Sequence, residues 1–320
     1  MRAARIHQLG GPLVVEEIPD PVPGPGEVLV RVRACGVNFA DTLMVAGRYQ
    51  ERHDPPFAPG MEIAGEVAAL GPGVQGPPVG SRVAAMCGVG GFAELAVVPA
   101  DRVTPIPDAM PFTDAAAFAI TYGTSHVALD HRARMQPGER LVVLGAAGGV
   151  GLAAVEIGKL MGAEVIACAR GAERLAVARA KGADHLIDSA TADLRAAIKA
   201  LGGADVVYDP VGGAQFDAAL RAANPEARLI PLGFASGQIP QIPANILLVK
   251  NLTVIGLYWG GYLKFAPGVI TRSMARLIAW YGEGRLKPHV SHQLPLAEAG
   301  RALELLTGRA ATGKVVVVPG

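Results

Sequence analysis

The stretch LVVLGAAGGVG, residues 141–151, decides the architecture. Its first four residues form an apolar run of strand type, and Gly145-Ala146-Ala147-Gly148 reads as a turn. From Gly149 onward Val150, Ala154, Ile157 and Met161 recur at helical spacing. A strand that turns through glycines directly into a helix leaves unpaired N–H groups and the positive end of the helix dipole facing the turn. Glycines let a phosphate approach that backbone closely. Ala146 stands where the G-x-G-x-x-G fingerprint has its first glycine, while Gly148 and Gly151 keep the spacing. The stretch predicts a dinucleotide cradle with Ala147, Gly148, Gly149 and Val150 against the pyrophosphate.

Working outward, the next strand, EVIACA, ends at Ala169-Arg170-Gly171, with Arg174 one helical turn later. An NAD site places Asp or Glu at this strand end to hold the ribose hydroxyls, and such a carboxylate would repel a 2′-phosphate. Two guanidiniums pair with that phosphate instead, so Arg170 and Arg174 predict NADP(H). Further apolar runs follow: ADHLID (183–188), ADVVYDPVG (204–212), RLIPLG (228–233) and LTVIGL (252–257). Most are joined by segments of helical pattern, the signature of a doubly wound parallel sheet.

Residues before about 123 have a different character. VVEEI (14–18), VLVRVRA (28–34), GEVAAL (65–70) and AELAVV (93–98) are short alternating runs between Pro and Gly clusters, a pattern of antiparallel β structure in a small barrel or sandwich. After about 264 a helix over SMARLIAWYGEG (273–284) and a strand over GKVVVVP (313–319) are expected to return to this first part. The expected domains are therefore 1–122 with 265–320, and 123–264.

Bulk properties exclude other classes. The chain has 320 residues and a formal net charge of +1, and its 5% aromatic content comes without clustered Lys and Arg. That argues against nucleic-acid binding. The uncharged run Leu229–Val249 is broken by Pro231, Pro240 and Pro243, so no membrane span is expected, and the N-terminal residues lack the apolar core of a secretory signal. Cys35, Cys87 and Cys168 are too dispersed for a disulfide framework or a metal knuckle. A cytoplasmic protein with reduced thiols is expected.

The motifs GVNFADTLMVAGRY (36–49), APGMEIAGEV (58–67), AAGGVG (146–151), DPVGG (209–213), PLGFASG (231–237), LLVKNLTVIGLYWG (247–260), LKPHVSH (286–292) and ATGKVVVVP (311–319) extend over the whole chain. In combination they resemble the zinc-free quinone oxidoreductase branch, which includes zeta-crystallin, of the medium-chain dehydrogenase/reductase superfamily. The resemblance implies a Rossmann domain inserted into a GroES-like β-rich catalytic domain. It also implies NADPH-dependent reduction of quinones or related α,β-unsaturated carbonyls without metal, and a homodimer joined through residues 252–259. Reduction of enoyl thioesters or other double bonds, and cofactor binding without turnover as in a crystallin, are the alternatives.

The resemblance also assigns residues. Asn38 and Met61 stand where zinc-dependent relatives carry Cys and His ligands, and Thr121 falls on the third ligand position. Asn, Met and Thr do not make the shell that zinc prefers. Asn38 and Asp41 match polar positions at the nicotinamide end, and Tyr49 matches an aromatic near the substrate mouth. Leu43 stands where several relatives have Tyr, which implies a more apolar pocket. Ser189 lies at the adenosine 2′-phosphate, Gly233, Phe234, Ala235, Leu257 and Trp259 close over the nicotinamide half, and Lys314 is a late basic residue near the cofactor. Conjugation spreads the charge that hydride delivery creates on an enone, so modest donors suffice in place of a Lewis acid. The amide of Asn38 and the hydroxyls of Tyr49 and Thr121 are the candidates.

Overall fold

A computed structural model describes all 320 residues. The chain divides into two units, Met1–Ile120 with Pro288–Gly320, and Thr121–Lys287. The first unit contains β1 (Arg2–Arg5), β2 (Val14–Glu17), β3 (Glu27–Val37), α1 (Phe39–Val45), β4 (Glu62–Leu70), β5 (Arg82–Met86), β6 (Leu95–Pro99) and β7 (Val103–Pro105). The second unit contains α2 (Ala119–His126, its first two residues still in the first unit), β8 (Arg140–Leu144), α3 (Gly149–Leu160), β9 (Glu164–Ala169) and α4 (Ala172–Ala180). It continues with β10 (His185–Asp188), β11 (Ala204–Asp209), β12 (Ala223–Pro231), α5 (Ala244–Lys250), β13 (Thr253–Val254) and α6 (Pro267–Gly282). The chain then returns with β14 (Val290–Pro295) and β15 (Lys314–Val318).

In the first unit β1 and β2 pair with each other, and a larger sheet runs in the order β14-β15-β3-β4-β5-β7, with β6 also on β3. Along β3 the side chains alternate: Val28, Val30 and Val32 are buried while Arg31 is exposed. β15 supplies Val315 and Val317 to the same core. It pairs antiparallel with β3, Val317 opposite Cys35. Both ends of the chain therefore build one core, which is why the apolar run at 314–318 has no helical period.

The second unit holds a six-stranded sheet, β10-β9-β8-β11-β12-β13, in which every pair is parallel. Val142, Leu144, Ile166, Cys168, Val207 and Leu229 lie in one core, and the alternate residues Leu141, Val143, Val165 and Val206 are equally buried, so the strands are covered on both faces and read as continuous apolar runs. Strand order reverses between β8 and β11, the place where a doubly wound sheet opens a crevice at its carboxyl edge.

Two expectations change. The second junction falls at Lys287/Pro288 rather than near residue 264. The reason is α6: its Ser273 hydroxyl lies 2.9 Å from His126 Nδ1, and its Trp280 meets the His126 ring edge-on with the centroids 5.4 Å apart. The run LTVIGL forms only the two-residue β13, because pairing to β12 ends with the bond from Ile255 N to Leu229 O.

Candidate active site

The glycine turn joins β8 to α3 as expected. Gly145 has φ +60°, and a Cβ on Gly151 would stand 2.3 Å from Gly145 O, so both positions need glycine for conformation or space. Gly148 caps α3 without any side-chain hydrogen bond and is exposed. The first N–H groups of a twelve-residue helix are thus left to an outside acceptor. This backbone cradle fits the pyrophosphate of a dinucleotide.

The other expected cofactor residues of this unit follow the carboxyl ends of the same sheet. Arg170 is exposed just beyond β9, Arg174 is in the first turn of α4, and Ser189 follows β10 with its N–H on Ala169 O at 2.9 Å. Gly233, Phe234 and Ala235 follow β12. They are laced to the turn after β11: Ala235 N donates to Pro210 O at 3.1 Å and Ser236 N to Val211 O at 2.9 Å. Asp209 holds that turn by accepting from Val211 N and Gly212 N, and burial pushes its carboxyl up to about 6.

Thr121, at the start of the unit, is buried, and its placement depends on a neighbour. Ser125 Oγ lies 2.8 Å from Thr121 O, 3.0 Å from Val150 O and 2.8 Å from the fully buried Tyr208 hydroxyl. One hydroxyl therefore ties α2 to the glycine turn and to β11. Leu257 and Trp259 are buried as well, and Trp259 packs so closely on α2 that a Cβ on Gly123 would meet its ring at 2.7 Å.

The expected residues of the first unit form a different kind of structure. Asn38, Glu62 and Lys314 are all at least nine-tenths buried and bonded to one another. Lys314 Nζ donates to Glu62 Oε1 at 2.6 Å and to Asn38 Oδ1 at 2.8 Å, while Asn38 Nδ2 donates to Glu62 Oε1 at 2.9 Å and to Gly36 O at 3.3 Å. Glu62 Oε2 accepts from Ile120 N at 2.8 Å. The ammonium can only donate, so Asn38 must turn its oxygen toward it, and both amide hydrogens are then spent inside the unit. Asn38 as a donor to substrate is corrected on this ground. Lys314, expected near the cofactor, has two of its three hydrogens held in the same knot.

Asp41 is fully buried. Its oxygens accept from Asn38 N at 2.7 Å and Gly60 N at 3.0 Å, and burial pushes its carboxyl up to about 7 against those two hydrogen bonds. It caps α1 and sets the backbone of Asn38, so it is a positioning residue, not a proton-transfer group in contact with substrate. Tyr49 lies past the end of α1, half-buried. Cys35 is buried and its thiol is pushed well above its ordinary value by that burial, which fits packing and not nucleophilic chemistry. Nowhere do three His, Cys, Asp or Glu side chains come together in a way that could hold a metal ion.

Three residues of these networks escaped the sequence reading. Glu62 carried a signal, a carboxylate at the head of the apolar strand EIAGEVAAL. Ser125 and Tyr208 carried none, because a hydroxyl in a helix and an aromatic in a strand are ordinary there.

Comparison with known proteins identifies the family. Residues 24–108 match the model of the alcohol dehydrogenase GroES-like domain, and residues 149–279 match that of the zinc-binding dehydrogenase. A quinone oxidoreductase-like protein 2 homolog of Nematostella vectensis is 42% identical over 99% of this chain and 88% of its own length. The quinone oxidoreductase of Thermus thermophilus, solved also as its complex with NADPH, superposes with a TM-score of 0.88 at 36% identity, covering 99% of this chain and 100% of that one. The Escherichia coli quinone oxidoreductase complexed with NADPH gives 0.92 at 29% identity over 100% of both chains.

Proposed function

Because the chain belongs to the quinone oxidoreductase branch of the medium-chain dehydrogenase/reductase superfamily, we propose that it is an NADPH-dependent reductase of quinones or related α,β-unsaturated carbonyls that works without metal. The observation that carries the metal-independent reading is the Asn38–Glu62–Lys314 knot: an ammonium is bonded to Asn38, in the position that zinc-dependent relatives give to a metal ligand. When bound, NADPH supplies the hydride. The amides of Gly149 and Val150 hold its pyrophosphate, the Gly148 N–H being bonded to Gly145 O inside the turn, and Arg170, Arg174 and Ser189 face its 2′-phosphate.

The knot fixes the Asn38 backbone and Lys314 in one arrangement. With the Asn38 amide spent, the Thr121 hydroxyl is the donor proposed for the substrate oxygen. Ser125 bonds the Thr121 carbonyl and so fixes the helix turn from which the hydroxyl projects. Leu43 contributes an apolar surface and no proton.

A homodimer through β13 is part of the proposal. The strand is an unpaired edge of the parallel sheet, and Leu248, Val249 and Phe265 nearby in sequence are each more than two-thirds exposed. Light scattering of the purified chain gives a dimer mass if this holds, and a monomer mass removes it. No helix is long and apolar enough to cross a membrane, and the three free cysteines fit a reducing, cytoplasmic setting.

The decisive assay follows NADPH and NADH oxidation with quinones, enones and enoyl thioesters, before and after exhaustive chelation. Turnover of quinones or enones that survives chelation is expected. Turnover lost on chelation removes metal independence, and cofactor binding with no acceptor consumed makes the chain a binder without turnover.

A further inference from the structure

The carboxyl edge that faces the adenosine end of the cofactor contains a residue the assignment above does not use. Asp188 is the last residue of β10, in register opposite Ala169, the last residue of β9. Its Oδ1 accepts from Gly171 N at 3.1 Å and from Ala190 N at 2.9 Å. These two bonds hold its carboxyl below the ordinary aspartate value, so it is ionised across the working pH range. Gly171 is the residue directly after Arg170 and caps α4 without a side-chain bond. Both bonds fall on Oδ1, which leaves Oδ2 to accept one from outside.

In a Rossmann unit the adenosine ribose lies at the end of this second strand, where an acidic residue takes the 2′-hydroxyl of NAD and basic residues take the 2′-phosphate of NADP. Here the two determinants come from neighbouring strands: Arg170 and Arg174 from the β9 end, Asp188 from the β10 end. A 2′-phosphate arriving at the arginines meets a fixed negative charge and finds the Gly171 amide already occupied by a carboxylate. A 2′-hydroxyl, in contrast, can donate to Asp188 Oδ2. Both arrangements are served and neither is served fully.

We propose that Asp188 is a specificity-determining residue that weakens the binding of 2′-phosphorylated nucleotide and supports that of NADH, so that the chain discriminates only modestly between the two cofactors. This rests on the NADPH-dependent reading above.

The test is binding, by calorimetric titration of the full chain with NADPH, NADH, 2′,5′-ADP and 5′-ADP. Asp188→Asn removes the charge and keeps an oxygen for the Gly171 and Ala190 amides, so the turn stays closed. Loss of one exposed like-charge contact predicts roughly two- to fivefold tighter NADPH and 2′,5′-ADP binding. NADH and 5′-ADP binding weaken together, since each carries the free 2′-hydroxyl that loses its acceptor. The gain shrinks with added salt, which a merely structural change would not reproduce. Arg170→Ala must move the 2′-phosphorylated ligands in the opposite direction. If Asp188→Asn leaves the ratio of NADPH to NADH affinity as in the wild type, or shifts all four ligands together, the proposal is overturned. If the wild-type chain binds neither dinucleotide, the cofactor reading fails with it, and that result is distinct because it appears before any substitution is made.

Discussion

The two units handle polar groups in opposite ways. In the first, Asn38, Glu62 and Lys314 satisfy one another out of contact with water, so that hardly a donor remains for an outside molecule. In the second, the carboxyl edge of the sheet leaves the α3 amides, Arg170 and an oxygen of Asp188 open. Closed networks specify geometry and are costly to interrupt, whereas open ones are inexpensive to alter and decide what binds. The contrast also separates effects: damage to the first unit should register as stability, and damage to the second as affinity.

The largest expected effect tests the closed side. Lys314→Met strands Glu62 as a buried, uncompensated charge and should cost about 3–5 kcal/mol in chemical denaturation. Adding Glu62→Gln should recover much of that loss. If the double variant is no more stable than the single one, the pair is not coupled.

Next comes the cradle, where the contrast predicts a mixed outcome. In Gly151→Ala the new methyl meets backbone at Gly145 O, not a movable side chain. About 1–3 kcal/mol of stability should go with it, and NADPH binding should become undetectable by titration. A variant that binds normally would mean that the turn is not the pyrophosphate site.

The pH dependence is shallower, counted per unit of pH. The folded Asp41 carboxyl, raised to about 7, keeps a proton that the unfolded chain gives up near 3.8. Stability from this group is therefore full below about pH 4 and is lost as pH rises toward 7, by at most about 1.4 kcal/mol per pH unit. Asp209, raised to about 6, adds a change of the same sign over a lower range. Thermal melts of Asp41→Asn between pH 5 and 8 should show a flatter profile than the wild type, and identical slopes would place the titration elsewhere.

The smallest effect sharpens the comparison, because Tyr208→Phe removes one hydrogen bond from a network with other partners. It should lower stability by about 1 kcal/mol and, through Ser125 and Thr121, reduce kcat more than KM. A change in KM alone would argue that Thr121 binds ligand without acting on the reacting oxygen.

Much of the candidate site was legible where local rules suffice. The turn at 145–151, the arginines after EVIACA and the loops after each strand follow from chain order alone, since a parallel sheet presents all its carboxyl ends on one edge. The knot was not legible in the same way. Asn38, Glu62 and Lys314 are up to 276 positions apart, and nothing local says that they are bonded. The shortness of β13 and the late second junction were hidden too, because they depend on which neighbour an apolar run or an α6 face finds.

What the amino-acid order determined by itself is the architecture and the kind of ligand. Periodicity, glycine spacing and the charge after β9 are properties of a few consecutive residues, and the backbone must obey them. Only the tertiary structure decided what each polar side chain has left to offer. It turned Asn38 from donor to recipient of an ammonium, made Asp41 a cap and set Asp188 on the amide beside Arg170. A hydrogen bond once made inside the protein is no longer available outside it, and which bonds are made depends on distances that the order of residues does not contain.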